Sequence, residues 1–307
     1  RYPDASAGAL RAIVAKRLGV DGAELSFGNG SDELIALLCA AFGEPRAGAS
    51  AASVLFPSPT FVVFRTATLS HGLVPVEAPL GPRFEPDEAA LFAAVERERP
   101  NLIFLATPNN PTGTEWPRAT IEKLLARHPE VITVVDEAYL AYSDARTCID
   151  LALAHPHCVV LQTLSKIGLA GLRVGVLVGQ REVIAEVEKV RPPYNLSTPA
   201  QRAAEVVLAS HAAELESHFA IVKSERARLA SALAALDGVE VFPSGANFLL
   251  VRVANARAIF QALVGRGVLV RCFDAGALAG CLRITVGTPD ENARLLEALA
   301  AIRPRAS

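Results

Sequence analysis

The chain has 307 residues, 51% of them hydrophobic, and a formal net charge of -2. That length gives room for about two domains of roughly 150 residues, each with a large buried core. The near-neutral balance removes any electrostatic basis for binding nucleic acid or an anionic membrane surface, and no apolar run reaches the ~18 residues of a membrane span.

In chain order, the first signal is Gly28-Asn29-Gly30-Ser31-Asp32-Glu33 followed by the apolar run 34–42, a glycine loop feeding a helix. The first turn of such a helix has free N–H groups and the positive end of the dipole, a seat for a phosphate; Ser31 or Asp32 serves equally well as an ordinary helix cap. From there to Gly179, strand-like runs at 53–56, 73–76, 101–106, 131–136, 159–161 and 174–178 alternate with helix-like ones. This alternation predicts a largely parallel sheet with helices on both faces. The stretch 199–237, rich in alanine, glutamate and arginine, is long for one globular helix and predicts an interdomain helix that is bent or broken. Strand runs at 239–242, 248–253, 268–271 and 282–286, with helices at 254–266 and 290–302, predict a smaller α+β domain.

Polar chemistry follows three of the runs. The run 101–106 leads into Pro108-Asn109-Asn110-Pro111-Thr112-Gly113, a tight turn that leaves Asn110 as a short amide donor on a rigid loop. The β-branched run 131–135 closes on Asp136 and opens Asp136-Glu137-Ala138-Tyr139. The run 159–161 leads into Thr163-Leu164-Ser165-Lys166-Ile167-Gly168-Leu169-Ala170-Gly171-Leu172-Arg173, which places an amine beside hydroxyls, glycines and a guanidinium. An amine there suits condensation with an aldehyde cofactor, and its neighbours suit that cofactor's phosphate. In open α/β sheets ligands bind outside the carboxyl ends of strands, so these groups can converge on one cleft.

Together with Arg1-Tyr2-Pro3-Asp4, Pro57-Ser58-Pro59-Thr60-Phe61, Pro193-Tyr194-Asn195, Ala246-Asn247-Phe248-Leu249 and Leu282-Arg283-Ile284-Thr285-Val286-Gly287-Thr288, these segments resemble the fold-type I aminotransferases that use pyridoxal 5'-phosphate. Within that family they are most similar to the members acting on histidinol phosphate. The resemblance runs through nearly the whole chain in family order. It implies an α/β fold: a large domain (28–200) with a mostly parallel seven-stranded sheet flanked by helices, and a smaller α+β domain (1–27 and 201–307) with an N-terminal arm.

It also implies roles. Lys166 is the Schiff-base amine and proton shuttle, Asp136 the partner of the pyridine nitrogen, and Tyr139 and Asn110 the partners of the ring oxygen. Phe61 stacks on the ring. Arg173, Thr163, Ser165, Gly30, Ser31 and Asp32 build the phosphate cup. Tyr2 reaches the phosphate of a neighbouring subunit, so a homodimer with a shared site is expected. Arg283 takes the substrate's carboxylate or phosphate as a bidentate pair, with Arg271 and Asn247 beside it.

The implied reaction is ping-pong amino transfer between glutamate and 2-oxoglutarate on one side and histidinol phosphate on the other. An aromatic or broad-specificity aminotransferase and a phospho-amino-acid decarboxylase are the alternatives on the same scaffold. Many relatives carry one more residue between Lys166 and Arg173. The sequence starts at Arg1 and has no methionine, so a chain trimmed from the family's usual length is expected. Five cysteines without a CxxC pair, and six histidines without metal-ligand spacing, predict reduced thiols in the cytoplasm and no metal site.

Overall fold

The structure is a computed structural model and describes residues 2–302; Arg1, part of the N-terminal motif, lies outside the described residues. A seven-stranded sheet is built from β1 (Leu25–Asn29), β2 (Ser53–Ser58), β3 (Val74–Pro79), β4 (Leu102–Ala106), β5 (Ile132–Asp136), β6 (Cys158–Thr163) and β7 (Val174–Gly179), in the spatial order β1-β7-β6-β5-β4-β2-β3. Neighbours from β3 through β6 are parallel, while β7 runs antiparallel to both β6 and β1.

The central strands β4, β5 and β6 are apolar and buried along almost their whole length, as a sheet covered on both faces requires. On one face pack α2 (Ser31–Phe42), α3 (Val62–Ser70) and α7 (Arg181–Val190), through Leu34, Leu38, Phe64 and Val187. The opposite face meets α4 (Glu88–Glu98), α5 (Arg118–Arg127), α6 (Ile149–Ala154) and α8 (Thr198–Ser210), through Leu91, Leu124, Ala152 and Ala204. Helix α1 (Gly8–Leu18) contributes Leu10 and Val14 to this same core and so packs with the large domain.

The stretch 199–237 is two helices, α8 and α9 (Ala212–Ala234), separated at His211, whose φ of -122° and ψ of 23° leave the helical region. Beyond it, β8 (Val239–Val241), β9 (Phe248–Val253), β10 (Arg271–Phe273) and β11 (Cys281–Thr285) form an antiparallel sheet ordered β10-β11-β9-β8. This sheet packs on α9, α10 (Ala256–Val264) and α11 (Pro289–Ile302) through Leu229, Leu263 and Leu295.

Two local expectations change. Gly28 and Asn29, read as the opening of the glycine loop, instead end a strand from Leu25, because residues 25–29 pair with β7 along their full length. The strand expected at 268–271 begins at Arg271, where pairing with β11 starts. Among the described residues no helix is long and apolar enough to cross a membrane. All five cysteines are free, four of them buried, and burial raises the thiol pKa of Cys39 and Cys148 to about 12.

Candidate active site

Strand direction assembles the site. Strands β4, β5 and β6 are parallel, so Ala106, Asp136 and Thr163 end at one edge of the sheet. Because β7 runs the other way, it starts at that edge, with Gly175 opposite Thr163 and Arg173 immediately before it. Strand β1 is antiparallel to β7 and ends there too, with Asn29 opposite Val174, so Ser31 at the start of α2 arrives beside Arg173.

The contact between β1 and β7 requires two glycines. Gly30 has φ of +79°, and a Cβ on it would lie 2.4 Å from the Arg173 guanidinium; a Cβ on Gly175 would lie 2.6 Å from the Gly30 backbone. The Gly30 N–H donates to the Arg173 carbonyl at 2.8 Å and locks the junction.

A cleft of about 510 Å³ results, lined by Ser31, Asp32, Phe61, Ala106, Pro108, Asn110, Asp136, Ala138, Tyr139, Ser165, Lys166 and Arg173. Nine of the residues expected from the sequence therefore share one cavity.

At its floor Asp136 is 4% exposed, and one carboxylate oxygen accepts from the Ala138 N–H at 3.0 Å. Burial pushes the carboxyl up to about 7, against the pull of that N–H and of the Lys166 charge. Burial likewise lowers the Lys166 pKa; Asp32 and Asp136 raise it and Arg283 lowers it further. Lys166 Nζ lies 5.5 Å from the centre of the Tyr139 ring. The Tyr139 phenol is pushed up to about 12 by burial, so it stays a proton donor at neutral pH.

The other end of the cleft is solvent-accessible. Arg173 donates to Asp32 Oδ2 at 3.1 Å and to the Ser165 hydroxyl at 3.5 Å, with both members of the ion pair nearly half exposed. From the smaller domain Arg283 reaches in and hydrogen-bonds the Asn110 side-chain oxygen, its guanidinium stacked 5.1 Å from the Phe248 ring. Burial lowers the Arg283 pKa, and its Nε is a buried donor without a hydrogen-bond partner among the described residues.

The remaining expected residues lie elsewhere. Thr163 accepts the Ser165 N–H at 3.1 Å and donates to the Val174 carbonyl at 3.3 Å, so its hydroxyl shapes the turn and does not line the cleft. Gly30 sits behind Arg173. Arg271 is exposed and directly opposite Arg283 on the paired strand. Asn247 lies beside Tyr142 and outside the lining of the cleft. Tyr2 is 81% exposed and stacks on Tyr194 at 4.7 Å, away from the cleft of its own chain. Sequence reasoning missed Phe248, which touches both Tyr139 and Arg283, and Tyr142; neither carries a local signal, since both look like ordinary core aromatics.

A two-domain α/β fold with an amine, a buried carboxylate and an arginine-serine cup at one sheet edge agrees with the comparisons. The family model described as aminotransferase class I and II matches residues 1–299, and the chain belongs to that family. It is 44% identical to the histidinol-phosphate aminotransferase of Methylibium petroleiphilum over 307 residues, 98% of this chain and 81% of that protein. Among solved structures it is similar to histidinol-phosphate aminotransferase from Sinorhizobium meliloti in complex with pyridoxal-5'-phosphate (TM-score 0.85, 26% identity, 99% of this chain and 84% of that one). It is also similar to L-threonine-O-3-phosphate decarboxylase from Porphyromonas gingivalis (TM-score 0.84, 25% identity, 98% and 90%).

Proposed function

We propose that the chain is a pyridoxal-phosphate-dependent aminotransferase that moves an amino group between histidinol phosphate and a 2-oxo acid, with glutamate and 2-oxoglutarate as the second pair. The observation that carries this reading is the meeting of Lys166, Asp136 and Arg173, from three different strand ends, in one cleft. The donor set suits the cofactor: an amine of lowered pKa for its aldehyde, a buried carboxylate for its ring nitrogen, and Arg173 with Ser165 and Ser31 for its phosphate. Phe61 lines the same cleft as a flat apolar wall.

When bound, the cofactor supplies an aldehyde for the amino group and an electron-accepting ring. Lys166 would move the proton of the substrate carbon that bears the nitrogen; its lowered pKa raises the fraction of free amine available for this. Asp136, out of water, holds a negative charge against a protonated ring nitrogen far more strongly than an exposed carboxylate would. Tyr139 and Asn110 would donate hydrogen bonds to the ring oxygen. Arg283, aligned by Asn110 and Phe248, binds the carboxylate of one substrate and the phosphate of the other in alternate half-reactions, with Arg271 as a second positive group.

The substrate assignment is supported by similarity across 98% of the chain to a protein named for histidinol phosphate. A steady-state screen of histidinol phosphate, phenylalanine, tyrosine and phosphothreonine, each with 2-oxoglutarate, tests it. Preferred turnover of histidinol phosphate is expected; carbon dioxide release from phosphothreonine without use of 2-oxoglutarate would overturn it in favour of a decarboxylase.

The reading extends to a cytoplasmic homodimer in which Tyr2 of one copy reaches the phosphate end of the other. Its support is that Tyr2 is solvent-exposed and held by Tyr194 away from its own cleft. Mixing Lys166→Ala with Tyr2→Phe subunits should restore activity in hybrids, and hybrids no better than either parent would remove the shared site.

A further inference from the structure

Lys166 belongs to a three-residue 3-10 turn, Leu164–Lys166, too short to hold its own geometry. One end of the turn is tied by Thr163, whose hydroxyl accepts the Ser165 N–H. The other is tied from 24 residues away, where the Tyr142 hydroxyl donates to the Lys166 backbone carbonyl at 2.6 Å. Tyr142 is 5% exposed, and its ring packs edge-on against Phe219 of α9 at 5.6 Å.

The same helix holds Tyr142 a second time. Arg226 Nη1 donates to the Tyr142 carbonyl at 2.8 Å and to the Ala246 carbonyl at 2.7 Å. Asn247, the next residue, lies beside Tyr142, and Phe248 after it starts β9, touches Tyr139 and carries the Arg283 guanidinium on its face. The Asn110 loop joins the cluster where the Gly245 N–H donates to the Gly113 carbonyl at 2.9 Å. Burial lowers the Arg226 pKa, and Glu115 and Asp144 oppose that shift; Glu115 also accepts from the Ser143 hydroxyl.

We infer that Tyr142 and Arg226 are positioning residues that fix the Lys166 turn to β9, the strand whose Phe248 supports Arg283 of the neighbouring β11. The inference rests on the aminotransferase reading for the role of Lys166. Its content is mechanical: the amine and the anion-binding guanidinium lie on different domains, and this cluster sets one relative to the other. Neither residue touches the cleft.

Tyr142→Phe keeps the ring and removes one hydroxyl. In cofactor-free protein, trinitrophenylation of Lys166 by trinitrobenzenesulfonate, in which the free amine displaces sulfite from the ring, is located by mass spectrometry across a pH series and reports the amine directly. The released turn admits water, so the midpoint should rise towards that of an ordinary lysine. In the loaded enzyme kcat should fall on the order of tenfold while KM stays within about twofold, because orientation and not substrate affinity is lost. Arg226→Gln should raise KM for the anionic substrate as well, since it also frees the loop leading to β9.

Should Tyr142→Phe fold poorly, Arg226→Gln, which leaves the hydroxyl in place and frees the Tyr142 carbonyl, predicts a smaller shift of the same sign. A Tyr142→Phe protein with unchanged midpoint and kcat overturns the inference. So does a loss of activity that follows only the fraction unfolded. A parent protein inactive with 2-oxoglutarate would instead defeat the proposed reaction, while the trinitrophenylation midpoint would still report on the turn.

Discussion

The two ends of the cleft work by different physics. At the Asp136 end the carboxyl is buried, its pKa is displaced to about 7, and the partners are placed by strand register. At the Arg173 end the groups are nearly half exposed, and Arg173 is held by an Asp32 carboxylate that any incoming anion must displace. Desolvation makes the first end electrostatically strong, while water and salt keep the second weak and adjustable. In the proposed function, chemistry therefore falls to the buried end and retention of the phosphate to the exposed one.

The sharpest test of that contrast is Lys166→Ala, which should reduce turnover by about 10⁴-fold and abolish the visible absorbance of the lysine-bound cofactor. A variant that kept both would dissolve the distinction between the ends. Asp136→Asn should follow, with a loss of roughly 10²–10³-fold in kcat and a fold unchanged by circular dichroism. A variant within a few-fold of the parent would show that burial of the carboxyl serves packing alone.

The same residue gives a pH test in cofactor-free protein. A carboxyl raised from 3.8 to about 7 favours the protonated folded state, so its contribution is complete below about pH 4 and is lost as pH rises through about 7. The melting temperature should fall over that window, and Asp136→Asn should flatten the fall. An identical slope in the variant would place the buried charge elsewhere.

Smaller effects are expected at the exposed end. Arg173→Ala should weaken cofactor binding by roughly tenfold to a hundredfold, the loss of charge-assisted hydrogen bonds, and added salt should narrow the gap. Asp32→Asn should do the least, tightening inorganic phosphate binding by about twofold at low salt, because it removes only an exposed ion pair. Titration calorimetry at two ionic strengths checks both, and a larger effect from Asp32 than from Arg173 would reverse the assignment.

Much of this was legible from the chain. Runs such as 131–136 and 101–106 are apolar, bounded by turn residues, and end in polar chemistry, so both the strands and the edge where ligands gather could be read. Strand β1 could not, because its pairing with β7 is decided 150 residues away. The break at His211 was expected in kind but not in place, since neither proline nor glycine marks it.

Local patterns sufficed for the list of chemical groups, because side-chain type and the turn that carries it are properties of neighbouring residues. Tertiary packing alone decided that Thr163 faces its own turn, that the Tyr142 hydroxyl meets the Lys166 carbonyl, and that Arg283 crosses from the second domain to Asn110. Hydrogen bonds spanning 24 to 173 residues, and the burial that shifts Asp136 and Lys166, exist only once distant segments share one desolvated space.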